Sequence, residues 1–97
     1  MVIYEVNITI DPQIKNIFLP WLYSHAEEMI LFDGFSKYDL FENNELENVY
    51  TIHYFVDNIN SINNYLNNNA HEMRQKGKDK FDGSLSIKRR ILSKVNA

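Results

Sequence analysis

Two sets of side chains in this sequence have the types and spacing for chemistry. Trp21 and His25 are four residues apart, so on a helix they share one face. An imidazole there can serve as a general base near neutral pH. The same ring on an apolar face also suits a core histidine bonded to a backbone carbonyl or a carboxylate. The second set lies in "SLSIKRRIL", Ser84 to Leu92. In an extended chain Leu85, Ile87, Arg89 and Ile91 share a face, and Ser86, Lys88, Arg90 and Leu92 share the other. Arg89 therefore sits in an apolar row. It needs a carboxylate, a carbonyl or a ligand anion, because an unpaired buried charge is costly. The third arginine, Arg74, reads as a surface charge near a helix end. The three arginines do not form one patch, and Glu72, Asp79 and Asp82 dilute the basic character of the stretch around them.

The histidines offer less. His25, His53 and His71 show no metal-ligand spacing, and no nearby carboxylate completes a triad. No metal and no cofactor is expected. Cysteine is absent, which excludes disulfides, thiolate catalysis and Cys-type zinc sites.

The elements that must position these groups follow from patterning. Met1 to Ile10 alternates, with Val2, Tyr4, Val6, Ile8 and Ile10 on one face and Ile3, Glu5, Asn7 and Thr9 on the other, which predicts a strand. Asp11-Pro12 is a helix start, and Ile14, Ile17, Phe18, Trp21, His25 and Met29 form the stripe of the helix it opens. Pro20 should kink this helix or divide it near Asn16, and Asp33-Gly34 ends the segment. Phe35 to Phe41 and Val49 to Val56 read as strands joined by a polar hairpin loop. Asp57 is the expected cap of a second helix with the stripe Ile59, Ile62, Leu66, Ala70 and Met73, and Gly77 its expected stop. Ser84 to Leu92 is the last strand. The order βαββαβ is that of the ferredoxin-like α+β fold, a four-stranded antiparallel sheet with both helices on one face. Residues 1–97 are expected to make one such domain. In this fold the last strand lies beside the first, so Tyr4, Trp21, His25 and Arg89 can bound one cleft suited to a small anionic or aromatic ligand. The other sheet face stays uncovered and carries large apolar groups, which points to a homodimer, sheet against sheet.

The fragments "VIYEVNITID", "WLYSHAEEMILFDGF", "VYTIHYFVDNINSINNYL", "AHEMRQKGKDKF" and "RRIL" occur in this order across nearly the whole chain. Together the pattern resembles a small bacterial family, domain of unknown function 4286. The matching residues are Trp21, His25, Gly34, Phe35, Tyr54, Arg74, Phe81, Arg89 and Arg90, and Pro20 departs from the pattern. The resemblance implies a dimeric α/β-barrel domain of the kind found in antibiotic-biosynthesis monooxygenases. It implies no established activity, and no catalytic positions transfer to this sequence.

Composition narrows the function. The net charge of −3 gives no general attraction to nucleic acid or anionic membrane. RNA-recognition domains share the βαββαβ order, but "VYTIHYFV" lacks the Gly and the basic start of their third strand. No nucleic-acid partner is expected. No apolar run approaches the ~18 residues of a membrane span, no leader pattern is evident, and a cytoplasmic protein is expected. Two readings remain. One is a small-ligand site in the helix–sheet cleft, with a cofactor-free monooxygenase-like activity as its enzymatic form. The other is a non-enzymatic homodimeric domain for protein interaction or regulation.

Overall fold

The computed structural model describes residues 1–96. The strands are β1 (Val2–Ile10), β2 (Phe35–Glu42), β3 (Val49–Val56) and β4 (Leu85–Ser93). The helices are α1 (Lys15–Met29), α2 (Ile59–Asn68) and α3 (Ala70–Phe81). The sheet order is β2-β3-β1-β4, with every pairing antiparallel. This is the ferredoxin-like arrangement that the patterning predicts.

The alternation of β1 decides which face is covered. Val2, Tyr4, Val6, Ile8 and Ile10 are buried, together with Tyr50, Ile52, Tyr54 and Val56 of β3. Against them α1 sets Phe18, Leu22, Ala26 and Met29, and α2 and α3 add Ile62, Tyr65, Ala70, Met73 and Phe81. Each large side chain fully buried here contributes roughly 1.5–3 kcal/mol.

The helices correct the sequence reading at several points. The Asp11 carboxylate caps a 3₁₀ turn over Pro12–Ile14, and the α-helical pattern begins at Lys15. Pro20 lies inside α1, which runs over it without division. Pro20 and Asn16 are both exposed, so the carbonyl deprived of its donor can turn to water. The deepest stripe of α1 is Phe18-Leu22-Ala26-Met29. Trp21 and His25 form the adjacent, half-buried row, and Ile17 is exposed. The cap of α2 is Asn58, which accepts from the Ser61 N–H at 3.0 Å, and not Asp57. The expected second helix is two. Asn69 leaves helical geometry at φ −127°, at the end of a run of asparagines, which compete with the backbone for hydrogen bonds. Gly77 does not stop α3. It is buried in mid-helix, and the chain leaves the helix only after Phe81.

The uncovered face is less apolar than expected. In-register pairing lines Asp39, His53, Glu5 and Arg90 across all four strands. Glu5 is only 5% exposed. It accepts from Asn7 at 2.9 Å and from Arg90, and it bonds to His53 at 2.9 Å. Thr51 donates to the Asn7 side-chain Oδ1 at 2.6 Å. Phe41, Phe55, Ile3 and Leu92 flank this network. The face thus has a hydrogen-bonded polar centre and apolar sides.

Candidate functional site

A cavity of about 390 Å³ lies between the inner sheet face and the helices. Tyr4, Val6 and Ile8 of β1 and Leu85, Ile87 and Arg89 of β4 form its floor. Phe18, Trp21, Leu22 and His25 of α1 face Met73, Arg74, Gly77 and Phe81 of α3 above it. The volume falls in the usual range for small-molecule sites. All four residues singled out from the sequence, Tyr4, Trp21, His25 and Arg89, line this one cavity.

Trp21 and His25 stack nearly parallel, with ring centroids 4.7 Å apart and planes 14° from each other. Phe81 packs nearly perpendicular to the indole, with ring centroids 5.2 Å apart. The indole also reaches α3: a Cβ on Gly77 would sit 3.3 Å from its ring. This approach explains the glycine. A side chain at position 77 would push the indole away from α3. Above the cavity Lys76 of α3 donates to Glu28 of α1 at 2.7 Å. The pair is about half exposed and adds little energy, but it joins the two helices beside His25.

His25 is held below its ordinary pKa. Desolvation is the main cause, Glu28 opposes it, and Lys76 and Arg89 add to it. The ring is therefore biased toward the neutral form, able to accept a proton from a ligand. Among the described residues its side chain makes no hydrogen bond. The core-histidine reading thus lacks its anchoring partner.

The polar end of the cavity is built from Tyr4, Arg74 and Arg89. Tyr4 packs against Tyr54 and Tyr65 at 6.2 and 5.9 Å. Burial holds the Tyr65 phenol up at about 12 and pushes the Tyr54 phenol higher still, so both rings remain neutral. Arg74 corrects the sequence reading. It is not a surface charge: its Nη2 donates to the Tyr4 hydroxyl at 3.1 Å, and its Nε is buried with no partner among the described residues. Arg89 sits at the rim on edge strand β4, exposed over much of its length. Partial desolvation lowers its pKa, the neighbouring Tyr4 hydroxyl opposes this, and Arg74 adds a like charge. No ion pair to Arg74 or Arg89 exists among the described residues. The buried ion pair that would make Arg89 structural is therefore not formed there.

Arg74, Gly77 and Tyr65 also line the cavity, beyond the four residues that the sequence pattern singles out. The available signal was the buried period Ala70, Met73, Gly77 and Phe81. Arg74 flanks it as Trp21 flanks the deep stripe of α1. Among the described residues no three His, Asp or Glu side chains converge to hold a metal ion. Among the described residues no helix is long and apolar enough to cross a membrane.

Residues 1–95 match the family described as Domain of unknown function (DUF4286). The chain belongs to this family. No curated protein matches its sequence. Solved structures show the shared fold. A proposed antibiotic biosynthesis monooxygenase from Deinococcus radiodurans aligns with TM-score 0.78 and 15% identity, covering 100% of this chain and 95% of that one. The N63A mutant of SnoaB, a cofactor-independent oxygenase from Streptomyces nogalater, aligns at 0.75 with 10% identity, covering 99% and 94%. The heme-degrader MhuD from Mycobacterium tuberculosis, solved with two hemes in its active site, aligns at 0.74 with 10% identity, covering 100% and 98%. At these identities the likeness is one of fold. This DUF4286 chain shares their ferredoxin-like architecture.

Proposed function

We propose that this protein binds a small anionic or aromatic molecule in the cavity between α1, α3 and the sheet, and that oxygenase-type chemistry is the first activity to assay. One observation carries the reading. A cavity of about 390 Å³ has a stacked Trp21–His25 wall and two arginines without carboxylate partners among the described residues. A purely structural core would fill that space and pair those charges. The fold is compatible, since SnoaB is described as a cofactor-independent oxygenase. In this reading His25, biased to its neutral form, takes a proton from the bound molecule. Trp21 is the only tryptophan of the chain, so its fluorescence reports on the cavity. Titration with aromatic acids and phenols should perturb it saturably, and oxygen uptake with the ligands that bind tests the activity. A panel that leaves Trp21 unperturbed, with a crystal structure showing side chains filling the cavity, would sink the reading.

The open sheet face supports a second element of the proposal, a homodimer. Phe41 is 47% exposed beside a buried carboxylate that is fully hydrogen-bonded within its own face. A second copy of the chain can cover the apolar flanks without desolvating an unpaired Glu5, whose carboxylate is already held by Asn7, His53 and Arg90. Light scattering at micromolar concentration should give twice the chain mass. A monomer would count against it, and against the alternative reading of the protein as a non-enzymatic homodimeric interaction domain.

A further inference from the structure

The cavity has a direction. At one end Arg74 from α3 and Arg89 from β4 flank the Tyr4 hydroxyl. That hydroxyl accepts from Arg74, so its own proton is free to donate. Arg74 Nε is buried without a partner among the described residues. At the other end, past Phe81, both Lys78 and Asp82 line the cavity, and their formal charges sum to zero. Between the ends the walls are aliphatic and aromatic. Net positive charge is therefore concentrated at the Tyr4 end.

We propose that the ligand is a monocarboxylate with an aromatic body, its carboxylate held by Arg74, Arg89 and the Tyr4 hydroxyl and its ring lying along Trp21 and Phe81. This deepens the proposed function and rests on it.

Two considerations select this class. A guanidinium is a planar fork of donors matched to a carboxylate. A neutral ligand would leave two neighbouring cations uncompensated in a partly desolvated site. The length also agrees. Arg74 and Phe81 are separated by roughly 10 Å along α3 at its rise per residue, the span of a carboxylate with a one-ring body. Trp21 and Phe81, nearly perpendicular to each other, give this end of the cavity aromatic surface against which a ring can pack.

The test compares matched pairs by isothermal titration calorimetry: 3-phenylpropanoate with 3-phenylpropanamide, and 2-naphthoate with its amide. The Trp21 indole N–H resonance serves as the reporter of location. The carboxylates should bind at least tenfold more tightly than the amides. Arg74→Gln and Arg89→Gln should each bring that ratio toward unity, and Arg74→Lys should retain part of it. Circular dichroism checks that each variant is folded, and Arg89→Gln lies on an exposed edge where folding is least at risk. Equal binding of acid and amide, both shifting the Trp21 resonance, would overturn the carboxylate assignment and leave the cavity as a ligand site. A carboxylate preference that survives both glutamine variants would overturn the role of the arginines. Failure of every probe to shift the Trp21 resonance at millimolar concentration would overturn the ligand site itself.

Discussion

The Trp21 indole lies over Gly77 so closely that a Cβ added to the glycine would stand 3.3 Å from the ring. Trp21 comes from α1 and Gly77 from the middle of α3, so this contact sets how closely the two helices approach over the cavity. Gly77→Ala has two opposed effects. It removes the helix-interior cost of glycine, about 1 kcal/mol, and it requires the indole to shift by a few tenths of an ångström. The indole is half-buried and borders the cavity, so it has room to give. The expected result is a stability change within about 1 kcal/mol of wild type, in the stabilising direction, with weaker binding of cavity ligands. Thermal unfolding and Trp21 fluorescence check both parts. A loss of several kcal/mol would mean that the indole cannot move.

Gly34 makes the opposite case. Its φ is +85°, and a Cβ there would lie 2.2 Å from the Ser61 Oγ and 2.5 Å from the Ser61 Cβ. Strain and overlap act together, and Ser61 is fixed by the α2 cap through Asn58. Gly34→Ala is expected to destabilise by roughly 2–4 kcal/mol. Urea denaturation checks this, and a midpoint equal to wild type would contradict the crowding.

His25 gives a pH dependence with a definite sign. Its folded-state pKa is depressed, chiefly by desolvation, with Lys76 and Arg89 adding to this and Glu28 opposing. Above the ordinary value of about 6.5 the ring is neutral folded or unfolded and makes no contribution. As the pH falls from there toward the depressed value, the unfolded chain binds the proton first and stability declines. His25→Gln should therefore flatten the stability profile between about pH 6.5 and the acid limb. Equilibrium unfolding of both proteins across that range measures the difference, and parallel profiles would show that His25 is not desolvated.

The sequence carried the strands and the site more legibly than the helices, for physical reasons. The period-two rows of β1 and β4 place Tyr4 and Arg89 on the covered face whatever lies above them. Arg74 was misread because Gly77 resembles a helix stop. The reason Gly77 sits inside α3 is an indole on another element, which no local pattern shows. Asp57 and Asn58 are adjacent side-chain acceptors, and only backbone geometry distinguishes the cap. Glu5 lies in a row that reads as solvent-facing. Its partners His53 and Arg90 are 48 and 85 residues away, so its burial depends on strand register.

That register carries a last prediction. The Glu5 carboxyl is lowered from an ordinary 4.5 to about 2, first by the Arg90 hydrogen bond, with burial opposing and His53 and Asn7 adding further stabilisation. A depressed carboxylate contributes stability that is complete above its unfolded value and is lost as the pH falls toward the folded one. The loss from Glu5 should therefore develop between about pH 4.5 and 2. Glu5→Gln keeps the shape of the side chain but removes the charge that accepts from Arg90 and bonds to His53. It should destabilise by roughly 1–3 kcal/mol at neutral pH and shrink the acid-dependent loss. Arg90→Ala should cost less than Glu5→Ala, since removing the exposed arginine leaves Glu5 with two partners, whereas Glu5→Ala strands three donors and leaves a hole at the sheet centre. Equal costs for the two alanine variants in urea denaturation would show that the carboxylate is held mainly by Arg90 and that His53 and Asn7 contribute little.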